Sequence, residues 1–287
     1  MGKSTRLRTR LAVLMVPCLA AAVAVVTVSW PADAAGSVDT NIDHYTLFAQ
    51  DEINMKGGVV NGGHVGVNSP VGMANVCAND LFSMTSGSQF ISNTARLTEL
   101  CMLYNVFVNN VLGDGFTPLT PPMVGFTPPI IPAGIPMVPP NTCAGGLDFN
   151  VEGGTAATIN PGAFNNISVK DGAELTINPG VYFLCGDFSM GRNTKVNTTS
   201  GTVVNVGGSM RIGNGSAFGN SPNVKFWIAG SESTTMGKYS HIEGHFIAPN
   251  AKILLGDRND FVGKFWATHL NADRGVVVTG PPSDCPV

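Results

Sequence analysis

The sequence predicts an all-β protein: a right-handed parallel β-helix, a solenoid with about 18–19 residues per coil, carrying one amphipathic helix and a Pro-rich connector. Three observations lead there. Ile159-Asn160-Pro161-Gly162 returns as Ile177-Asn178-Pro179-Gly180, a shift of 18. Ile242-Glu243-Gly244-His245-Phe246-Ile247-Ala248 returns as Phe261-Val262-Gly263-Lys264-Phe265-Trp266-Ala267, a shift of 19, with Met236-Gly237 and Leu255-Gly256 in the preceding turns. A fixed period near 20 with alternating apolar residues marks stacked strands, each repeat one coil. At about 3.3 Å per residue such a repeat has a contour of roughly 60 Å, enough for three short strands and their turns. The third observation is composition: 35 glycines among 287 residues, with charged residues at 12%. That charge content is about half the usual share, and glycine supplies the positive φ of tight turns. A hydrophobic content of 44% is too high for a disordered chain.

The first segment, 1–34, reads as a targeting signal. Lys3, Arg6, Arg8 and Arg10 precede an apolar run from Leu11 to Val28, and Ala32-Asp33-Ala34 supplies an A-x-A cleavage site. There is no adjacent arginine pair, which favours general secretion over the twin-arginine route. An uncleaved anchor is the alternative, since the run is long for an h-region. Cys18 follows a proline and fits a lipidation site poorly. Cleavage after Ala34 leaves 12 basic and 18 acidic side chains, a net charge of −6, with no electrostatic footprint for nucleic acid. The expected location is therefore secreted or at the cell surface, with membrane contact only through an uncleaved N-terminus.

Residues 36–45 form a short lead-in, and 46–91 hold a first set of coils in which strands alternate with glycine turns. Over 92–112, Asn93 is placed to cap a helix in which Leu97, Leu100, Cys101, Tyr104, Phe107, Val108 and Val111 recur at helical spacing, which predicts a packed amphipathic helix. The connector, 113–142, holds nine of the 19 prolines. Proline lacks the ladder donor and favours an extended chain. Its apolar fillers, among them Phe126, Ile130 and Ile135, predict that it packs along the solenoid. The main solenoid spans 143–278 in roughly seven coils at the observed period, and 279–287 is a tail.

Five cysteines follow the signal, widely spaced and without a C-x-x-C pair, so an exported chain uses them as disulfide partners rather than metal ligands. The expected pairs are Cys77 with Cys101 and Cys143 with Cys185, leaving Cys285 odd.

Alternation assigns sides within the 19-residue repeat. Ile242, Gly244, Phe246 and Ala248 face the core, stacked on Phe261, Gly263, Phe265 and Ala267; His241, Glu243, His245 and Ile247 face out beside Asp260, Val262, Lys264 and Trp266. Outward His241, Glu243 and His245 suggest a metal site only weakly, because the next coil adds Asp260 alone and sets Lys264 against His245. No metal and no cofactor are expected. The better candidate is a binding surface of Tyr239, His241, Glu243, His245, Lys264, Trp266 and His269, with an exposed Trp266 for stacking sugars or contacting another protein. No G-x-S-x-G elbow, H-E-x-x-H or P-loop is present, and no catalytic residue is assigned. Asp257, Arg258, Asp260 and Arg274 are the residues a polysaccharide-cleaving enzyme would use, although Gly256-Asp257-Arg258-Asn259-Asp260 has the composition of a turn. Thr194, Thr198, Thr199 and Thr202 cluster without a Thr-x-Thr repeat at the coil period, so an ice-binding ladder is a minor reading.

Ile177-Asn178-Pro179-Gly180-Val181-Tyr182, Gly186-Asp187-Phe188-Ser189-Met190 and Thr202-Val203-Val204-Asn205-Val206-Gly207-Gly208 resemble exported bacterial β-solenoid domains. These occur in pilus-assembly-associated proteins of the PilX and TadE/TadG-like type and in related surface proteins. Ile247-Ala248-Pro249-Asn250-Ala251 with Phe261-Val262-Gly263-Lys264 resembles their closing coils. The resemblance covers about 46–91 and 143–278. It implies a non-catalytic structural or adhesive role at the cell surface or pilus, with an envelope component, a polysaccharide or another surface protein as partner. It brings no active-site residues. Those relatives keep an uncleaved N-terminal helix, whereas this chain has a cleavage site. The closing coils are also weakly similar to the ice-binding solenoid family.

Overall fold

The computed structural model describes residues 41–68, 73–76, 82–84, 89–97, 101–102, 106–112 and 146–280, with the backbone alone at 93, 101–102 and 106–112. All lie in one compact unit, Ser37–Val287. The signal, the connector, Cys77 and Cys143 fall outside the described residues.

Every strand pairing described is parallel, and the pairings resolve into three ladders, one per face of a solenoid. The first face runs through Ala156–Ile159, Glu174–Ile177, Lys195–Thr198, Ala217–Phe218 and the starts of His241–Leu255 and Asp260–Ala272. It continues through Val276–Thr279, Gly58–Asn61, Phe82–Met84 and Cys101–Met102. The second face carries Gly180–Leu184, Thr202–Val206, Lys225–Ile228 and His64–Val67. The third carries Phe188–Met190, Met210–Ile212, Thr234–Met236 and Met73–Val76. The chain adopts the predicted parallel solenoid of three-strand coils; the 18- and 19-residue periods hold at the two repeated motifs, whereas the coils between them are longer, with Glu174 paired to Lys195 and Ala217 to His241.

The order of coils in space is not their order in the chain. Tyr45–Met55 pairs on one edge with Asp260–Ala272 and on the other with His64–Val67 and Met73–Val76. The N-terminal coils therefore stack on the end of the C-terminal ones and make a single column. Leu47 lies on Phe265, the Lys56 ammonium meets the Asp273 carboxylate at 2.5 Å, and Gly280 N–H donates to Asn61 C=O at 2.8 Å. Leu112 then belongs to one end of the column and Leu147 to the other. Ten rungs at about 4.8 Å separate them, so the chain between has roughly 48 Å to cross. The connector is long enough, at about 3.1 Å per residue when extended.

The packed helix expected over 92–112 is replaced by strands Phe90–Leu97, Cys101–Met102 and Val106–Leu112. Each coil turns a corner every few residues, and a corner interrupts the two-residue alternation. The resulting spacing of three and four imitates a helix. The backbone gains more as a strand: Phe90, Ala95 and Arg96 pair with Val106, Val111 and Leu112, covering an edge that a helix would leave open. Val106, Phe107 and Val108 also suit a pleated surface.

Inward residues fill the column. Phe226, Phe246 and Phe265 occupy one position on successive rungs and stack with centroids 5.1 and 5.2 Å apart at 11° and 7°. Such contacts add about 0.5–1.5 kcal/mol each beyond burial. The corner between the third and first faces is built differently. One residue per coil is left-handed there: Gly154, Gly172, Asn193, Gly215, Tyr239, Arg258 and Gly275, with φ between 52° and 71°. Its N–H donates to the next coil's turn carbonyl, as from Gly215 to Lys238 (2.8 Å), Tyr239 to Asp257 (3.0 Å) and Arg258 to Arg274 (2.9 Å). Behind it runs a buried polar column. Ser216 N–H donates to Ser240 Oγ at 3.2 Å, Ser240 N–H to Asn259 Oδ1 at 2.7 Å, and Asn259 Nδ2 to Gly237 C=O at 2.5 Å.

Candidate functional site

The predicted inward and outward sides hold throughout the 19-residue repeat. Ile242, Phe246, Ala248, Phe261, Phe265 and Ala267 are buried, and His241 lies on Asp260, His245 on Lys264 and Ile247 on Trp266. The candidate binding residues do not form one surface. His241 and Glu243 are on the first face, His245, Lys264 and Trp266 on the second, His269 on the third, and Tyr239 at the corner.

Trp266 corrects the expectation of an exposed platform. It points out of the solenoid wall, yet it is only 4% exposed. Residues 41–45 fold over it: Ile42, Tyr45, Phe48, Ile91 and Ile247 pack around the indole, and its Nε1–H donates to Tyr45 C=O at 3.0 Å. The Lys264 ammonium donates to Asp43 C=O and lies 5.7 Å from the indole centroid. A second apolar cluster outside the wall was not visible in the repeat; the lead-in Ile42 and Tyr45 were its one sequence signal.

His245, beside this cluster, is held neutral. Burial, with the Lys264 and Lys225 charges, pushes its pKa down to about 4, and Nε2 is sealed from solvent without a hydrogen-bond partner among the described residues. His241 behaves oppositely. Burial alone would lower its pKa, but Glu243 at 2.9 Å from Nε2 and Asp260 at 2.9 Å from Nδ1 outweigh it, and the net shift is upward. With its two ring nitrogens on Glu243 and Asp260, this imidazole links its own coil to the next. Among the described residues, no group of three His, Cys, Asp or Glu side chains is arranged to hold a metal.

Of the four residues named for an enzyme, the two carboxylates are tied into the wall. Asp257 takes the Lys238 ammonium at 2.7 Å, which holds its carboxyl below the usual range. Asp260 is bonded to His241, and Arg258 occupies a left-handed turn position. Cys185 is disulfide-bonded. Its expected partner Cys143, Cys77 and the side chain of Cys101 lie outside the described residues.

The third face carries a pattern that the repeat motifs did not reveal. One outward residue per coil forms a continuous column: Asn150, Ser168, Ser189, Arg211, Thr235, Leu254, Asn271, Asn54, Asn75 and Arg96. Small polar uncharged side chains fill it except at Arg211, Leu254 and Arg96. Neighbours stand about 4.8 Å apart. The signal was present in the sequence as isolated Asn, Ser and Thr residues, but the column becomes continuous only when the N-terminal coils stack on the C-terminal ones. A depression of about 190 Å³ interrupts it, lined by Thr235, Leu254, Asn271, Asn54, Lys56 and Asp273 among others. Pockets for drug-sized ligands start at about 300 Å³.

No family model and no curated protein matches the chain. Among solved structures, it is similar to an ice-binding protein from the Antarctic ascomycete Antarctomyces psychrotrophicus, with 16% identity, 86% of this chain and 99% of that one covered, and a TM-score of 0.39. An ice-binding protein from an Arctic yeast gives 16% identity, coverage of 85% and 94%, and a TM-score of 0.41. The DUF3494 domain of ice-binding protein 1 from Shewanella frigidimarina gives 12% identity, coverage of 85% and 98%, and a TM-score of 0.44.

Proposed function

We propose that this chain is an exported, non-catalytic β-solenoid that lays its third face against an extended, regularly repeating surface, and that the surface is ice. The column from Asn150 to Arg96 carries the reading. A rigid parallel stack sets one hydrogen-bonding group per rung at a fixed interval, which suits a lattice and wastes itself on a small soluble substrate. Asn, Ser and Thr both donate and accept, so they order water without the strongly bound hydration shell of a charge. The basic, apolar and A-x-A order of residues 3–34 supports export.

The second reading is adhesion to an envelope polysaccharide through the same face. One experiment separates the two. The purified chain is tested for thermal hysteresis and ice retention, and in parallel for retention on cell-envelope polysaccharide. Ser189→Tyr and Asn54→Tyr each place a bulky side chain in the column. Loss of most ice activity in both variants, with an unchanged melting temperature, supports ice. Ice activity absent from the parent chain removes this reading, and polysaccharide retention sensitive to the same substitutions replaces it with adhesion.

A further inference from the structure

We propose that Tyr239 and Arg258, with Arg274 beside them, form a binding site for the carboxylated sugar units of an acidic polysaccharide. The site lies at the corner between the third and first faces and is separate from the small-polar column.

The corner itself asks only for glycine. Gly154, Gly172, Gly215 and Gly275 hold the left-handed position on other coils, and Asn193, the side chain best adapted to that conformation, holds one more. Tyr239 and Arg258 hold it on two adjacent coils at φ 57° and 52°. The hydrogen bonds that pin the turn come from backbone N–H groups, 3.0 Å from Tyr239 to Asp257 C=O and 2.9 Å from Arg258 to Arg274 C=O, and a glycine would make them equally well. Neither side chain takes part in the hydrogen bonds that pin the turn, and both strain it. Side chains kept where the backbone disfavours them point to a role outside the fold.

Their arrangement specifies the ligand. Tyr239 is 60% exposed. The Arg258 guanidinium lies over one side of its ring, 5.7 Å from the centroid, and Nη1 stands 3.4 Å from Oη. The preceding coil has Gly215 at the equivalent position, which sets no side chain against the ring's other side. An open aromatic face suits the C–H side of a sugar ring. Lys238 and Asp257 neutralise each other at 2.7 Å, whereas Arg274 has no carboxylate partner among the described residues. Arg258 at the ring and Arg274 in the turn of the next coil therefore leave net positive charge along this corner in a chain whose overall charge is negative. The guanidinium fork matches a carboxylate bidentately. A stacking ring with a carboxylate fork beside it describes a uronate-type residue.

The test measures binding of the purified full chain to oligogalacturonate, with maltohexaose as the neutral control and inorganic phosphate as competitor. Oligogalacturonate binds, more weakly as salt rises, while maltohexaose does not bind and phosphate does not displace. Tyr239→Gly and Arg258→Gly each weaken binding about tenfold, a change typical of losing one good contact, and neither lowers the melting temperature, because glycine relieves the turn. Ser189→Tyr leaves this binding intact, which keeps the result independent of the ice reading. The proposal is overturned if oligogalacturonate does not bind the parent chain, if maltohexaose binds equally, if phosphate displaces the sugar, or if the glycine variants lose stability while binding as well as the parent.

Discussion

At the scale of single residues, two histidines four positions apart respond to pH in opposite senses. His241 has a raised folded pKa, so its stabilisation is complete below the unfolded value of about 6.5 and is lost as pH rises through the folded value. His245 has a folded pKa of about 4, so its neutral form contributes fully above about 6.5 and the contribution is lost as pH falls from there towards 4. Melting temperature measured across pH 5–9 is expected to pass through a maximum near neutrality. His241→Gln flattens the alkaline side, and His245→Leu flattens the fall between pH 6.5 and 5. That window keeps clear of Asp148, Glu174 and Asp257, whose hydrogen bonds hold them below the ordinary carboxylate range. An unchanged slope in either variant would remove the assignment for that residue.

At the scale of the element, the corner between the first and second faces depends on two stacked glycines. Gly244 and Gly263 share φ 143° and pair in register, and a Cβ on Gly263 would fall 1.9 Å from Gly244 C=O. Gly263→Ala is expected to cost more than about 2 kcal/mol, read as a lowered urea midpoint, because the clash is with backbone that has no room to move. These same glycines made the 19-residue repeat legible, since two coils turning the same corner need the same residue there. Parity read from that repeat was also correct, down to His241 on Asp260. Two readings failed for one physical reason: alternation tells which side of the wall a residue is on and says nothing about corners or about what folds over the wall. Corners turned 92–112 into an apparent helix, and the 41–45 segment buried Trp266. The third-face column stayed hidden because its members are single residues on coils that share no motif.

At the scale of the whole molecule, the seam between the first and last coils could not be inferred from repeats. Leu47 and Phe265 are partners more than two hundred positions apart, and in register the strands that carry them share only Ala49 with Ala267 and Asn54 with Asn271. Until the C-terminal coil exists, Tyr45–Met55 lacks one of its two neighbours, and the column cannot be completed from the N-terminus onward. The chain therefore has its natural break inside its own middle. Gly280 already touches Asn61, and Thr46 donates to Gly62, so the two ends of the described residues meet at one level of the stack. Joining residue 280 to residue 41 by a Gly-Ser link and opening the chain between Leu112 and Leu147 gives a circular permutant whose coils follow one another in translation order. Its mean contact separation falls, so refolding from urea is expected to be at least several-fold faster than in the parent, with the same circular dichroism spectrum. A permutant that stays unfolded would mean that the crossing segment, and not the seam, holds the two halves together.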